Sequence, residues 1–118
     1  MTRTPGSDME VEPVEWPPRF QFASEVWPGL AKLLEECGEI VQVAGKIIGT
    51  AGTMRFQDGQ TVDRSRFVEE LADLEAILTF VVWHDLTDAE IIALTVRSDD
   101  KRRLFERWRE SETRANAT

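Results

Sequence analysis

The chain holds a single cysteine and a single histidine in 118 residues. One cysteine excludes an internal disulfide framework and suits a reducing compartment. The histidine, His84, stands alone and no Glu-x-x-His pair exists, which speaks against zinc and against a ferritin-like di-iron bundle. Basic residues are few: the formal net charge is -8, and Lys101-Arg102-Arg103 is the one basic cluster, directly preceded by Asp99 and Asp100. Gripping the phosphate backbone of a nucleic-acid polymer needs a basic stripe, so that class of partner is not expected. No apolar run reaches the roughly 18 residues of a membrane span, and no signal peptide opens the chain. These absences together lead us to expect a cytoplasmic protein with no membrane partner.

What is present is helical patterning. Residues 1–25 carry Pro5, Pro13, Pro17 and Pro18 among Glu10, Glu12 and Glu15, a composition hostile to a helix and expected to give a partly disordered acidic arm. Trp16, Phe20 and Phe22 are unusual for such an arm, so its later half is expected to dock. From Pro28 to about Ile48, Leu30, Leu33, Leu34, Cys37, Ile40, Val41, Ala44, Ile47 and Ile48 recur at steps of three and four and predict an amphipathic helix. Pro28 suits the first turn, and Gly49 and Gly52 mark the end. Asp58-Gly59 is a turn signal that could close a small hairpin between Met54–Phe56 and Thr61–Val62. A second helix, capped by Asp63 or Ser65, runs to about His84. Thr87 and Glu90 form a capping box for a third, which continues to about Glu110 unless Ser98-Asp99-Asp100 breaks or kinks it. No internal repeat is visible, and residues 113–118 are read as a disordered tail.

The fold expected is therefore all-α, with one helical domain over residues 26–112. Helix two is apolar nearly all round between Ala76 and Trp83. Two further helices cannot cover it, whereas a second copy of the chain can. A four-helix core completed by dimerisation is the economical solution.

Two acidic clusters stand out against this pattern: Glu35-Glu36-Cys37-Gly38-Glu39 and Glu69-Glu70-Leu71-Ala72-Asp73. Each sets carboxylates three residues apart, so within each segment they leave nearly one helix face. If the two helices pack antiparallel, Glu36, Glu39, Glu70 and Asp73 converge. Converging carboxylates repel, and a hard divalent cation relieves that repulsion. On a helical wheel Glu70 falls between Ile77 and Val81, and Asp73 between Ile77 and Phe80, so both acids lie on an apolar face. A buried, unpartnered carboxylate costs several kcal/mol at least, so such residues need a cation or strong donors. The spacing alone leaves a metal site and a solvated acidic face about equally open.

The run from Trp27 through Pro-Gly-Leu-Ala-Lys-Leu-Leu-Glu-Glu-Cys-Gly-Glu-Ile-Val to Gln42, then Glu-Glu-Leu-Ala-Asp at 69–73, then Lys101-Arg-Arg-Leu-Phe-Glu-Arg-Trp108, resembles the MazG-like all-α nucleotide pyrophosphohydrolases. The likeness spans about residues 27–110 and leaves out the acidic arm and the 50–62 loop. It implies a helical bundle assembled as a homodimer or a dimer of dimers (a homotetramer). It also implies hydrolysis of (deoxy)nucleoside triphosphates between the α and β phosphates, giving a monophosphate and pyrophosphate, as nucleotide-pool housecleaning. Carried over by position, Glu36, Glu39, Glu70 and Asp73 would hold Mg2+, with Mn2+ as a substitute. Glu35 and Glu36 would serve catalysis, Glu35 orienting the attacking water or holding a second ion.

Lys101 falls on the stripe of Leu94, Phe105 and Trp108, where a cation can neutralise a phosphate oxygen, pair with a nearby Glu or snorkel to water. Lys46, beyond Glu39 on the first helix, is a second phosphate-binding candidate. Cys37 reads as core. Trp27, Trp83 and Trp108 read as packing residues, although one of them, or Phe56, could stack on a nucleobase. Two other functions stay open: a phosphoribosyl-ATP pyrophosphohydrolase of the same family, and a non-catalytic acidic helical interaction module.

Overall fold

The computed structural model describes residues 16–50 and 64–117. Within them the chain is all helical: α1 covers Leu30–Gly49, α2 covers Arg64–Asp85 and α3 covers Asp88–Asn116. The hairpin considered for Met54–Val62 and the Asp63 cap lie outside the described residues. Ser65 lies inside α2.

The expected docking of the arm is seen. Pro18–Phe20 form one 3-10 turn, with Pro17 and Pro18 supplying the preset φ. The Ser24 hydroxyl then accepts from the backbone N–H groups of Val26 and Trp27, at 3.1 and 3.0 Å. Phe22 sets its ring edge-on to Phe80 of α2, centroids 5.1 Å apart. Phe22 thus ties this segment to α2.

α1 starts two residues later than its proline suggested. Gly29 takes a left-handed φ of 75°, and its N–H donates to the Gln21 carbonyl at 3.2 Å. That conformation suits glycine and excludes Pro28 from the first turn. A Cβ at Gly29 would sit 3.1–3.3 Å from Phe80 and Ile77, so the missing side chain also lets the start of α1 approach α2. At the other end Gly49 is the last helical residue, and the Thr50 hydroxyl donates to the Ile47 carbonyl.

Contacts between α1 and α2 run in opposite senses. Gly29 lies against Ile77 and Phe80, whereas Glu36, one heptad on, lies near Glu70 and Asp73. The pair is an antiparallel hairpin. Its core is small: Ala31, Val43 and Ile77 are the buried apolar residues among those described. Each helix can cover only one side of the other. Accordingly Leu34, Val41 and Ile48, the outer edge of the α1 stripe, are 69%, 69% and 78% exposed. Trp27, Trp83 and Trp108, expected to pack, are exposed as well.

Residues 86–118 form a unit apart from residues 1–85. The expected capping box is present: Thr87 accepts from the Glu90 N–H at 3.2 Å and donates its own N–H to Glu90 at 2.9 Å. Those bonds hold the Glu90 carboxyl below its usual range. α3 passes Ser98-Asp99-Asp100 without a break and ends at Asn116, past the expected Glu110. Pairs of Asp99 with Arg102, Asp100 with Arg103 and Glu110 with Arg114 line its length. Their i,i+3 and i,i+4 spacing favours the helix, so residues expected as tail are drawn into its last turns.

Candidate metal centre

Both acidic clusters lie about two turns into their helices. Antiparallel packing then brings Glu36 of α1 beside Glu70 and Asp73 of α2. One carboxylate oxygen from each of the three lies within 4.8 Å of the others. Glu36 and Glu70 are buried, 7% and 8% exposed, whereas Asp73 is exposed rather than inward-facing. Asp73 lies one turn beyond Glu70, toward the open edge of the hairpin. The site is therefore walled by two buried acids and open on the side of the third.

Glu70 carries the electrostatic signature of such a place. Burial pushes its carboxyl up from the ordinary value, and the charge of Glu39 pushes it further. Arg66 opposes this, and Asp73 and Glu36 add to it. A carboxylate desolvated among like charges favours a proton or a metal ion. Mg2+ binds oxygens at about 2.0–2.1 Å, so opposite ligands stand roughly 4 Å apart. The three oxygens, all within 4.8 Å of one another, already approach that spacing. Three carboxylates and an open side leave room for water and a further anionic ligand.

The other expected residues fall into three places. Glu39 is half-buried and near enough to raise Glu70, but its oxygens are not among the three that meet. Glu35 sits beside the cluster, tied to Lys32 at 3.1 Å. Lys46 is exposed on α1, and Lys101 belongs to α3, in the other unit. Cys37 is a half-buried free thiol. His84 stacks on Phe80 near the end of α2, centroids 4.3 Å apart.

Two residues of the site escaped the sequence reading. The Lys32 ammonium lies 3.1 Å from Glu36 as well as from Glu35, and Arg66 lies 3.4 Å from Glu70. Burial pulls the Lys32 pKa down, but hydrogen bonds to Glu36 and Glu35, with the charges of both, more than offset that and hold it above 10.5. The signal was present in the sequence. Each cation stands four residues before its glutamate, the spacing of a helical ion pair.

Compared with protein-family models, with curated proteins and with solved structures, the chain has no match in any of the three.

Proposed function

We propose that the chain is a Mg2+-dependent nucleoside triphosphate pyrophosphohydrolase, cleaving between the α and β phosphates to release a nucleoside monophosphate and pyrophosphate. The observation that carries this reading is the meeting of Glu36, Glu70 and Asp73 within 4.8 Å, two of them buried, on an antiparallel helical hairpin. Resemblance of both acidic motifs to the MazG-like pattern supplies the reaction class.

When bound, the ion would screen the triphosphate, acidify a coordinated water and stabilise charge on the departing pyrophosphate. The chain's own part is positional. Glu36 and Glu70 anchor the site from opposite helices, and Asp73 closes it from the open edge. Glu39 adds negative charge behind Glu70. Glu35, one-third exposed beside the cluster, is placed to orient the attacking water and accept its proton.

The exposed Leu34, Val41 and Ile48 recur every seventh residue and, with Leu30, Cys37 and Ala44 between them, make a coiled-coil-like seam along α1. A second copy covering that seam and Trp83 would complete a four-helix core. The same exposed surface favours a second reading, an acidic interaction module without catalysis.

The test is a panel of nucleoside triphosphates and phosphoribosyl-ATP, with pyrophosphate release followed with and without Mg2+. Mg2+-dependent release from several (d)NTPs supports the proposal. Turnover of phosphoribosyl-ATP alone moves the substrate assignment to histidine synthesis. No turnover of any substrate, with stable capture of a protein partner, leaves the interaction module.

A further inference from the structure

Two eight-residue segments of the hairpin share one pattern. Lys32-Leu-Leu-Glu-Glu-Cys-Gly-Glu39 on α1 and Arg66-Phe-Val-Glu-Glu-Leu-Ala-Asp73 on α2 both read cation, two apolar residues, two glutamates, two small or apolar residues, acid. The sequence thus holds one short repeat, carried by the two paired helices. In each copy the cation pairs with the second glutamate, at 3.1 Å for Lys32–Glu36 and 3.4 Å for Arg66–Glu70. Those two glutamates are the buried members of the acidic cluster.

Each buried acid therefore carries a cation supplied by its own helix. The side chains of Lys32 and Arg66 are themselves 39% and 59% exposed, on long flexible stems. Their charged heads can leave the cluster for water without disturbing the core. A divalent cation on Glu36, Glu70 and Asp73 would stand a few ångströms from both heads and repel them. Glu35 gives Lys32 a second anchor, so its release from Glu36 is a short swing. Released from Glu36 and Glu70, both heads would stay within a turn of the cluster, in reach of the anionic oxygens of a metal-bound polyphosphate.

We propose that Lys32 and Arg66 are exchangeable counter-ions of this site, holding Glu36 and Glu70 in the metal-free protein and passing to phosphate oxygens once a divalent cation occupies the cluster. The inference rests on the reading of the cluster as a metal site for a triphosphate. It makes the hairpin the source of both the metal ligands and the phosphate donors.

The experiment uses the full chain at pH 8. Mn2+ binding alone is measured by electron paramagnetic resonance, then inorganic tripolyphosphate binding at saturating Mn2+ by calorimetry. Lys32→Met and Arg66→Met keep the apolar stems and remove the charges. Each should tighten Mn2+ on the order of tenfold, and weaken tripolyphosphate roughly tenfold or more. Lys32→Arg should stay near the wild type in both. Mn2+ affinity that is unchanged or weaker in both Met variants, with melting temperatures intact, overturns the exchange. So does tripolyphosphate binding that ignores both charges. A wild type that binds Mn2+ but no tripolyphosphate overturns this inference and leaves the ion site standing, whereas one that binds no Mn2+ overturns both.

Discussion

The α1–α2 hairpin and the long helix α3 stay helical in water by different means. The hairpin buries Ala31, Val43 and Ile77 between two helices and places buried Glu36 and Glu70 in the same interface. α3 buries nothing, yet has a capping box and a ladder of Asp–Arg and Glu–Arg pairs. Charge is divided just as unevenly. Residues 86–118 carry equal numbers of acidic and basic side chains, so the whole net charge of -8 resides in residues 1–85. Local devices are enough to write a helix. Only packing can force carboxylates together at a cost that a ligand then relieves, and that is why the candidate chemistry sits in the hairpin.

The largest expected effect tests that division directly. Glu70→Gln with Asp73→Asn should abolish Mn2+ binding and lower pyrophosphate release by on the order of a thousandfold or more. Unchanged activity in the double variant would remove the hairpin's claim to the chemistry. Ile77→Ala should cost about 2–5 kcal/mol in urea unfolding. Trp108→Ala on α3 should cost under about 0.5 kcal/mol while that face stays open. A larger loss at Trp108 would reveal a covering partner and erase the contrast.

The next prediction concerns pH. With its carboxyl raised in the fold, Glu70 makes the metal-free protein lose stability as pH climbs from the ordinary carboxylate pKa to the folded one. The opposing contribution, from metal binding, needs the ionised form. Mg2+ should therefore raise Tm clearly at pH 8, equivalent to about 2.7 kcal/mol at a hundredfold excess over Kd, and much less at pH 4. An equal rise at both would mean the ion binds elsewhere.

Two smaller effects probe the ends of the elements. Gly29→Ala adds a Cβ at 3.1 Å from Phe80 on a left-handed backbone and should cost about 1–2 kcal/mol. Thr87→Ala removes the cap of α3 and should cost about 1 kcal/mol, read as lost helicity by circular dichroism.

Helices, most of their boundaries and the Thr87–Glu90 cap were legible because they depend on neighbours one to four positions apart, whereas α3 runs six residues past its expected end at Glu110. The Lys32–Glu36 and Arg66–Glu70 pairs are equally local, each cation standing four residues before its glutamate. The start of α1 was misjudged by two residues because Gly29 is shaped by its approach to Phe80, a contact fifty residues away. A helical wheel places Asp73 on the apolar face but does not say how wide a strip the partner helix covers, and Asp73 falls outside that strip.

By itself the sequence determined that the chain is helical, acidic and armed with acid pairs at helical spacing, since each property follows from composition or from steps of three and four. Tertiary structure alone decided that Glu36 meets Glu70 and Asp73, that Glu39 stands aside, and that Asp73 faces water. Such distances depend on how one helix slides and turns against another, and that is set by side chains interlocking across the interface rather than by any one strip of residues.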